Sequence, residues 1–195
     1  MSNLEANPIT IDACDLRATM KLTAGKDEIR AYLRGVRLNR EHACIDVTDG
    51  AMLMRIPCPA LAGLDESVTL TLPTPKTLPA SATIVRFNGY SVWWENPKTG
   101  NRGHMESEIG NASYPSFEPV LRDTHLTQHT QDSEILLDPV KLSALMAAFK
   151  VVTYAKQPQV KFEIQSDLNR VKLTDPTRPG VVAYLMKIKP PKKRK

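Results

Sequence analysis

The chain has 195 residues, 42% of them hydrophobic, and a formal net charge of +5. That length allows one large or two small domains with a buried core, and no apolar run of about 18 residues is present to cross a membrane. Residues 187–195 contain six lysines and arginines and no acidic residue, which leaves a formal charge of −1 for the remainder. The basic character therefore lies in the tail, and a protein that coats DNA over its whole surface is not indicated.

Cysteine usage indicates a reduced environment. Cys14, Cys44 and Cys58 are too few and too widely spaced for a disulfide framework. No CxxC pair is present, so a structural zinc site is not expected, and neither a metal nor another cofactor is predicted. The N-terminus lacks the basic and apolar regions of a signal peptide, and we expect a cytoplasmic protein.

The first predicted elements are a leader, a strand and a helix. Residues 1–8 are expected to form a disordered leader, and residues 9–11 a short strand. Asp12 or Asp15 can cap the helix, because aspartate accepts hydrogen bonds from free first-turn amides, and the helix extends to about Leu22.

The predicted helix has two different faces. Ala13, Leu16 and Met20 share its apolar face. Basic residues lie around the other side, which indicates either a solvated surface or a helix directed at phosphate. These residues are Arg17, Lys21 and Lys26.

The next stretch predicts three strands joined by two turns. Apolar and polar residues alternate over residues 29–38, interrupted at Gly35, and alternation is typical of a half-buried strand. Further alternating runs cover residues 43–47 and 52–56. Between them, residues 48–50 (T-D-G) predict a tight turn, because glycine tolerates the positive φ that Asp-Gly turns require.

The middle of the chain predicts strands and turns without a helix. The prolines that follow the strand predicted at residues 68–72 exclude a long helix between that strand and the next. Asn88-Gly89 is the strongest hairpin signal in the chain, and adjacent Trp93 and Trp94 are expected to face opposite sides of a strand, one of them toward the core. The predicted strands cover residues 68–72, 82–87, 91–95 and 103–109.

The last third predicts a linker, a second helix and three further strands. Residues 124–133 are polar and are interpreted as linker, with both histidines solvated. A strand at 135–137 precedes a helix that Asp138 caps and Pro139 begins. Leu142, Leu145, Met146 and Phe149 form the apolar face of that helix. The final strands are predicted at residues 160–164, 171–173 and 181–188.

Three short motifs follow one another along the chain. The first combines residues 30–35 (R-A-Y-L-R-G) with residues 47–53 (V-T-D-G-A-M-L), the second is residues 113–121 (S-Y-P-S-F-E-P-V-L), and the third is residues 183–186 (A-Y-L-M). In this order they resemble R-x-Y-L-x-G with A-T-D-G-H-R-L, then F-P-D-Y-x-x-V-L, then A-Y-V-V of the bacterial sliding clamp. That protein is the β subunit of the replicative DNA polymerase.

The resemblance implies an α+β protein with the sliding-clamp (DNA clamp) fold, with antiparallel sheets, few helices and about one and a half clamp domains. Residues 9–122 would be a clamp domain resembling the family's middle domain, with one helix lost. Residues 123–133 would be a linker, residues 134–189 the C-terminal half of the last domain, and residues 190–195 a basic tail. Because a clamp domain consists of two half-units of strand, helix and three strands, the chain would hold three half-units.

The resemblance also implies a peptide-binding pocket. Clamp partners insert a short peptide of mixed polar and leucine/phenylalanine character between the last two clamp domains, and two large side chains need a concave apolar patch to be desolvated. Ala51 and Met52 replace the family's usual His-Arg, and Pro119 stands where many clamps have a basic residue. The alternative is that all pocket positions are core residues. The pocket positions are Leu33, Thr48, Gly50, Leu53, Pro115, Val120, Leu185 and Met186.

Duplex DNA is the second implied partner, bound without reading sequence. Clamps line their channel with helices, which makes the basic helix face a candidate. Residues 189–195 resemble a short nuclear import signal and could also be a solubilising end, but we favour phosphate contact, since the bacterial resemblance argues against import. The candidate DNA-binding residues are Arg17, Lys21, Lys26, Lys192, Lys193, Arg194 and Lys195.

No catalytic constellation is present, and we predict a non-enzyme. The sequence contains no GxxxxGK[ST], GxGxxG, HExxH or nucleophile elbow, and Asp46 and Asp49 are interpreted as turn-forming. The first hypothesis is a miniature clamp from a phage or mobile element, whose homo-oligomers enclose DNA and tether a polymerase; four chains would supply twelve half-units. The second is a clamp-mimicking module that binds clamp-binding peptides without closing a ring. The third is a DNA-binding protein acting through its basic tail.

Overall fold

The computed structural model describes residues 8–71, 78–88, 91–110, 114–122, 135–153, 157–165 and 170–188. Several predictions lie outside these residues: the leader before Pro8, the linker at 123–133 with its histidines, and the tail at 190–195 with its four candidate DNA-binding residues. Leu72 of a predicted strand and Gly89 of the predicted hairpin also lie outside them.

The elements form three successive segments, which we call the first, second and third repeats. The first repeat contains β1 (Ile9–Asp12), α1 (Ala13–Met20), β2 (Val36–Asn39), β3 (Cys44–Thr48) and β4 (Met52–Pro57). The second repeat contains β5 (Val68–Thr71), β6 (Ile84–Phe87), β7 (Val92–Asn96) and β8 (Asn101–Met105), followed by β9 (Glu108–Gly110) and the short α2 (Glu118–Leu121). The third repeat contains α3 (Pro139–Val152), β10 (Lys161–Gln165), β11 (Arg170–Thr174) and β12 (Val182–Met186).

The two longer helices begin in the same way. The Asp12 carboxylate accepts a hydrogen bond from the Cys14 amide at 2.7 Å, and Asp138 accepts one from the Val140 amide at 2.8 Å. Each aspartate thus satisfies an amide that has no partner within the helix. Of the two caps that the sequence allowed for α1, Asp12 is the observed one, and Asp15 is buried within the helix.

All strand pairs among the described residues are antiparallel, and these strands form two sheets. The four-stranded sheet has the order β1-β6-β7-β8, and the eight-stranded sheet has the order β10-β11-β12-β4-β3-β2-β5-β9. The leading strand of the first repeat therefore joins the three later strands of the second repeat, and the leading strand of the second repeat joins those of the first. The third repeat extends the larger sheet, because β12 pairs with β4.

The main core lies between the sheets and the helices, and α1 packs against α3. Two ion pairs fasten the third repeat to the first in addition to the β4–β12 ladder. Arg178, in the loop before β12, pairs with both carboxylate oxygens of Asp15 on α1, and Lys141 on α3 pairs with Asp49 in the β3–β4 turn. Trp94 packs against this core while Trp93 lies on the opposite face of β7, as the sequence predicted.

The strand predicted at residues 29–34 is wrong. Residues Ala31–Arg34 form a 3₁₀ helix, and Ile29 is 95% exposed. The Leu33 amide donates to the Arg30 carbonyl at 2.9 Å, and the Ala24 amide donates to the Leu33 carbonyl at 2.8 Å. These local bonds replace a strand ladder, so only Leu33 of the alternating apolar residues turns into the protein.

Three further predictions differ from the structure. Residues 103–109 do not form one strand, because the chain leaves the smaller sheet after β8 and enters the larger one as β9. Residues 135–137 belong to no assigned strand, although the Ile188 amide donates to the Leu136 carbonyl at 2.9 Å. Asp46 is buried in the middle of β3 rather than in a turn, because Arg55 and Asn39 bind its carboxylate there.

Candidate functional site

The candidate site lies on the outer face of the larger sheet, where β4 of the first repeat meets β12 of the third. We call this junction the seam. Thr48 pairs with Leu53, and Leu53 pairs with Tyr184, so these three side chains lie in one row on the same face of the sheet. Their neighbours Met54 and Ala183 point to the other face and belong to the main core.

A second apolar cluster, separate from the main core, covers the seam. We call it the seam cluster, and its rings meet at angles: Tyr32 and Tyr114 have centroids 6.2 Å apart and planes at 71°, and Tyr114 and Phe117 have centroids 6.0 Å apart. Such tilted and edge-on contacts are the favoured geometry of aromatic pairs. The buried members are Leu53, Tyr114, Phe117 and Tyr184, with Tyr32, Val120, Leu121 and Val182 partly buried around them.

Residues 114–122 lie across the seam and are held by polar bonds. The Thr48 amide donates to the Tyr114 hydroxyl at 3.0 Å, and burial raises the pKa of that hydroxyl. Arg170 on β11 donates to the Val120 carbonyl and stacks its guanidinium 4.5 Å from the centroid of the Tyr184 ring. The first, second and third repeats therefore all meet at this one surface.

A charged network anchors the other side of the cluster. Arg55 donates to both carboxylate oxygens of Asp46, at 2.7 and 2.9 Å, and to Glu118 at 2.9 Å. Hydrogen bonding from Arg55 lowers the pKa of Glu118, and His42 lies 3.1 Å from the same carboxylate. Arg55 also lies 5.9 Å from the centre of the Phe117 ring, so the network holds the Glu118 carboxylate and the Phe117 ring of the segment.

The β3–β4 turn forms the rim of the seam. Asp49 accepts hydrogen bonds from the Ala51 and Met52 amides at 2.9 and 3.0 Å. Gly50 has φ +94°, and a Cβ at that position would lie 3.2 Å from a guanidinium nitrogen of Arg30. The turn thus presents exposed backbone at Gly50 beside an arginine, next to the apolar cluster.

The structure divides the eight predicted pocket residues into three groups. Thr48, Leu53 and Val120 lie at the seam cluster. Leu33 and Leu185 are buried, and Leu185 belongs to the main core. The exposed residues lie in the rim turn, at the start of the covering segment and at the end of β12: Gly50, Pro115 and Met186.

Sequence reasoning missed the aromatic residues of the cluster. Tyr32, Tyr114 and Phe117 lie within the quoted motifs, so their type and position were available as a signal. Tyr184 is the partner of Leu53, whereas the prediction chose its neighbour Leu185, which lies on the opposite face of β12. A period-two assignment of faces, started from Leu53, would have selected Tyr184.

The three described candidates for DNA contact have different surroundings. One guanidinium nitrogen of Arg17 donates to the carbonyls of Pro79, Ala80 and Ala82, the segment that follows β5, so this arginine holds a loop. Lys21 and Lys26 are exposed. They lie with Arg34 along a cleft of about 1040 Å³ between the end of α1, the 3₁₀ helix, β5 and β9, and Glu106 and Glu108 also line this cleft.

Within the described residues, no helix is long and apolar enough to span a bilayer, and no group of three histidine, cysteine or carboxylate side chains is arranged to hold a metal ion. The cysteines Cys14, Cys44 and Cys58 are all free.

Comparison with known proteins finds the fold through structure and not through sequence. No protein-family model and no curated protein sequence matches the chain. Among solved structures, it is similar to the Caulobacter crescentus pol III beta, with 15% identity and a TM-score of 0.60 over 95% of this chain and 66% of that one. It is also similar to the DNA polymerase III subunit beta from Pseudomonas aeruginosa, with 11% identity and a TM-score of 0.61 over 97% of this chain and 68% of that one.

The DNA polymerase III beta subunit from Thermotoga maritima is a third similar structure, with 11% identity and a TM-score of 0.57. The match covers 94% of this chain and 65% of that one. These similarities confirm the sliding-clamp fold that the sequence predicted, and the chain spans about two thirds of the length of the clamps that it matches.

Proposed function

We propose that this chain, which has the sliding-clamp fold in a shortened form, is a processivity factor that contacts or encloses duplex DNA and tethers replication proteins at the seam. The observation that carries the proposal is the seam cluster, because it lies where all three motifs of the clamp resemblance converge. The proposed role is binding and not catalysis.

The chemistry of the seam fits a short peptide with large apolar side chains. The partly buried edges of Tyr32 and Val120 and the 43% exposed Met186 offer apolar surface for such side chains. Backbone and charge at the rim, supplied by Gly50 and Arg30, offer polar partners for the peptide main chain. An apolar centre with a polar rim is the usual anatomy of a peptide-binding surface.

Peptide binding at the seam is tested by fluorescence anisotropy. The probe is a labelled pentapeptide with one glutamine, one serine, two leucines and one phenylalanine. Met186→Glu is expected to weaken binding at least tenfold, because it places a charge on the apolar surface. Thr99→Glu, at an exposed site in the β7–β8 turn of the smaller sheet, is expected to leave binding unchanged. Equal affinity of Met186→Glu and the wild type would rule out the seam as the binding surface.

The proposed contact with DNA depends on Lys21, Lys26 and the tail at residues 189–195. Arg17 is left out of the proposed contact because its guanidinium is bound to three carbonyl oxygens. Phosphate contact without base recognition predicts that log affinity falls linearly with log salt concentration. Lys21→Glu with Lys26→Glu should reduce that slope, as should deletion of residues 189–195, and an unchanged slope in both variants would refute the assignment.

Enclosure of DNA is tested by topology. The protein is mixed at low concentration with a nicked circular plasmid, concentrated, and passed through a large-pore column at high salt. A protein that encloses DNA elutes with the circle and is lost after a single restriction cut, whereas a protein that binds only by charge is lost from both. Retention on neither form would favour the second candidate, a clamp-mimicking module that does not close a ring. The observation behind this candidate is that the chain covers only 66% of a clamp chain.

A further inference from the structure

The first two repeats complete each other by exchanging their leading strands. β1 pairs with β6, the first of the three later strands of the second repeat, and β5 pairs with β2, the corresponding strand of the first repeat. A repeat's leading strand thus never joins its own three strands. Every completed group has four strands, of which one comes from another repeat.

In the third repeat, among the described residues, neither the leading segment nor the edge of β10 takes part in a strand exchange of this kind. β10 corresponds to β6 and β2, and among the described residues it pairs only with β11. Residues 135–138 (I-L-L-D) match residues 9–12 (I-T-I-D) of the first repeat, including the aspartate that caps the following helix. Residues 135–137 are therefore a leading strand by sequence and by position, yet they join no ladder among the described residues and accept one backbone bond, from the Ile188 amide to the Leu136 carbonyl.

The core is incomplete along the open edge of β10. Phe162 lies in the row of Leu173, Ala183 and Met54, which all face the main core, but Phe162 is 46% exposed. Its counterpart on β6, Val85, is fully buried beside the leading strand β1. The difference between the two positions is a fourth strand, which β6 has in β1 and which β10 lacks within the described part of the chain.

Exposed apolar side chains concentrate on the third repeat. The described chain has seven exposed large hydrophobic residues, and only Ile29 lies outside this repeat or its flanking residues. The other six residues are Leu136, Val140, Met146, Phe162, Met186 and Ile188. Met186 lies on the seam face of the sheet, whereas Phe162 lies on the core-facing side at the open edge of β10. An open strand edge is a template for pairing with another chain.

We propose that a second copy of this chain completes the third repeat by reciprocal strand exchange. Residues 135–137 of each copy pair in antiparallel fashion with β10 of the other, so the contact is two-fold symmetric and self-complementary. The pairings of β1 with β6 and of β5 with β2 set the register: Ile135 lies opposite Ile164, Leu136 opposite Glu163, and Leu137 opposite Phe162 of the partner.

In each copy the first and second repeats form one pair with exchanged strands, and the third repeats of the two copies would form one more. A dimer would therefore contain three such pairs of repeats. This inference rests on the proposed enclosure of DNA, which requires more than one copy of the chain, and it names the surface through which the copies would assemble. Because peptide binding at the seam and binding to DNA have their own assays, failure of the dimer contact is distinguishable from failure of the proposed function.

The register is tested by disulfide trapping. Residues directly opposite in an antiparallel pair have Cβ atoms about 4.5–5.5 Å apart, close enough for a disulfide bond with little adjustment. Leu136→Cys with Glu163→Cys, in a Cys14→Ser background, is expected to give a covalent dimer on mild oxidation. The matched control is Leu136→Cys with Arg102→Cys, where the second cysteine lies on another exposed edge strand, β8; equal trapping in both variants would overturn the register.

The contact itself is tested by mass in solution. Light scattering of the wild type over a range of concentrations is expected to show a dimer or a multiple of it, and Phe162→Glu is expected to raise the dissociation constant at least tenfold. Ile29→Glu serves as the control, and circular dichroism of both variants verifies folding. A wild type that is monomeric throughout, or a Phe162→Glu variant that associates as the wild type does, contradicts the proposal.

Discussion

Removal of one oxygen atom tests how the covering segment is held on the seam. In Tyr114→Phe the ring contacts with Tyr32 and Phe117 remain, but the Thr48 amide loses the hydroxyl that accepts its hydrogen bond at 3.0 Å. Thr48 and Tyr114 are both buried, so water does not replace the lost partner freely. A buried donor left unsatisfied costs about 1–3 kcal/mol, and we expect a loss of about 2 kcal/mol in the free energy of unfolding.

The assay is urea unfolding followed by circular dichroism, together with a thermal melt. For a chain of this length, about 2 kcal/mol corresponds to a fall in Tm of about 4–8 °C. Tyr32→Phe is the control, because Tyr32 lies at the partly exposed edge of the cluster, and a change below about 0.5 kcal/mol is expected there. A Tyr114→Phe variant with the wild-type urea midpoint would refute the reasoning.

Three further variants address the ion pairs and the rim turn. Arg178→Met leaves the buried Asp15 carboxylate unpaired and should lower the free energy of unfolding by about 3 kcal/mol at neutral pH, measured with urea. Burial raises the pKa of Asp15, so this deficit relative to the wild type should shrink as the pH falls. A deficit that stays constant with pH would contradict this expectation. Glu118 has a pKa lowered by its arginine partner, so its stabilising contribution is present above the usual glutamate pKa and is lost as the pH falls through the lowered value; unfolding curves of Glu118→Gln and the wild type should therefore converge in acid. Gly50→Ala should cost about 1 kcal/mol in the same assay, because Gly50 has φ +94°, and an unchanged midpoint would show that the turn relaxes.

Local sequence signals predicted most of the fold. The aspartate caps, the alternating strands and the short turns each depend on a few neighbouring residues, and the structure has β2, β3, β4 and α3 at the expected places. The order of the three motifs predicted the clamp fold, although sequence identity with the similar clamps is only 11–15%. A fold set by the order of its repeats can be recognised when few individual residues match.

Predictions that depended on distant partners were less accurate. Residues 29–34 alternate as a strand would, but they pair with no strand among the described residues, and local bonds close a 3₁₀ helix instead. Aspartate is a residue type that is common in turns, yet Asp46 lies in the middle of a strand, where Arg55, nine residues later, binds its carboxylate. Arg17 has the position of a phosphate contact but binds carbonyls more than 60 residues away.

The candidate site illustrates the same limit. A resemblance transfers positions, and it placed Thr48, Leu53 and Val120 at the seam. It did not state which face of β12 is outward, and the choice of Leu185 over Tyr184 followed from that. Strand register decides the face, and a shift of one residue moves a side chain to the opposite side of the sheet.

The most direct test of the central claim is a map of where the pentapeptide binds. Amide and methyl NMR spectra of isotope-labelled protein are recorded while the unlabelled peptide is added. We expect shifts concentrated at Gly50, Ala51, Val120 and Met186, around the seam cluster. Shifts concentrated instead along the cleft beside Lys21 and Arg34, or no shifts at saturating peptide, would contradict the assignment of the seam as the tethering surface.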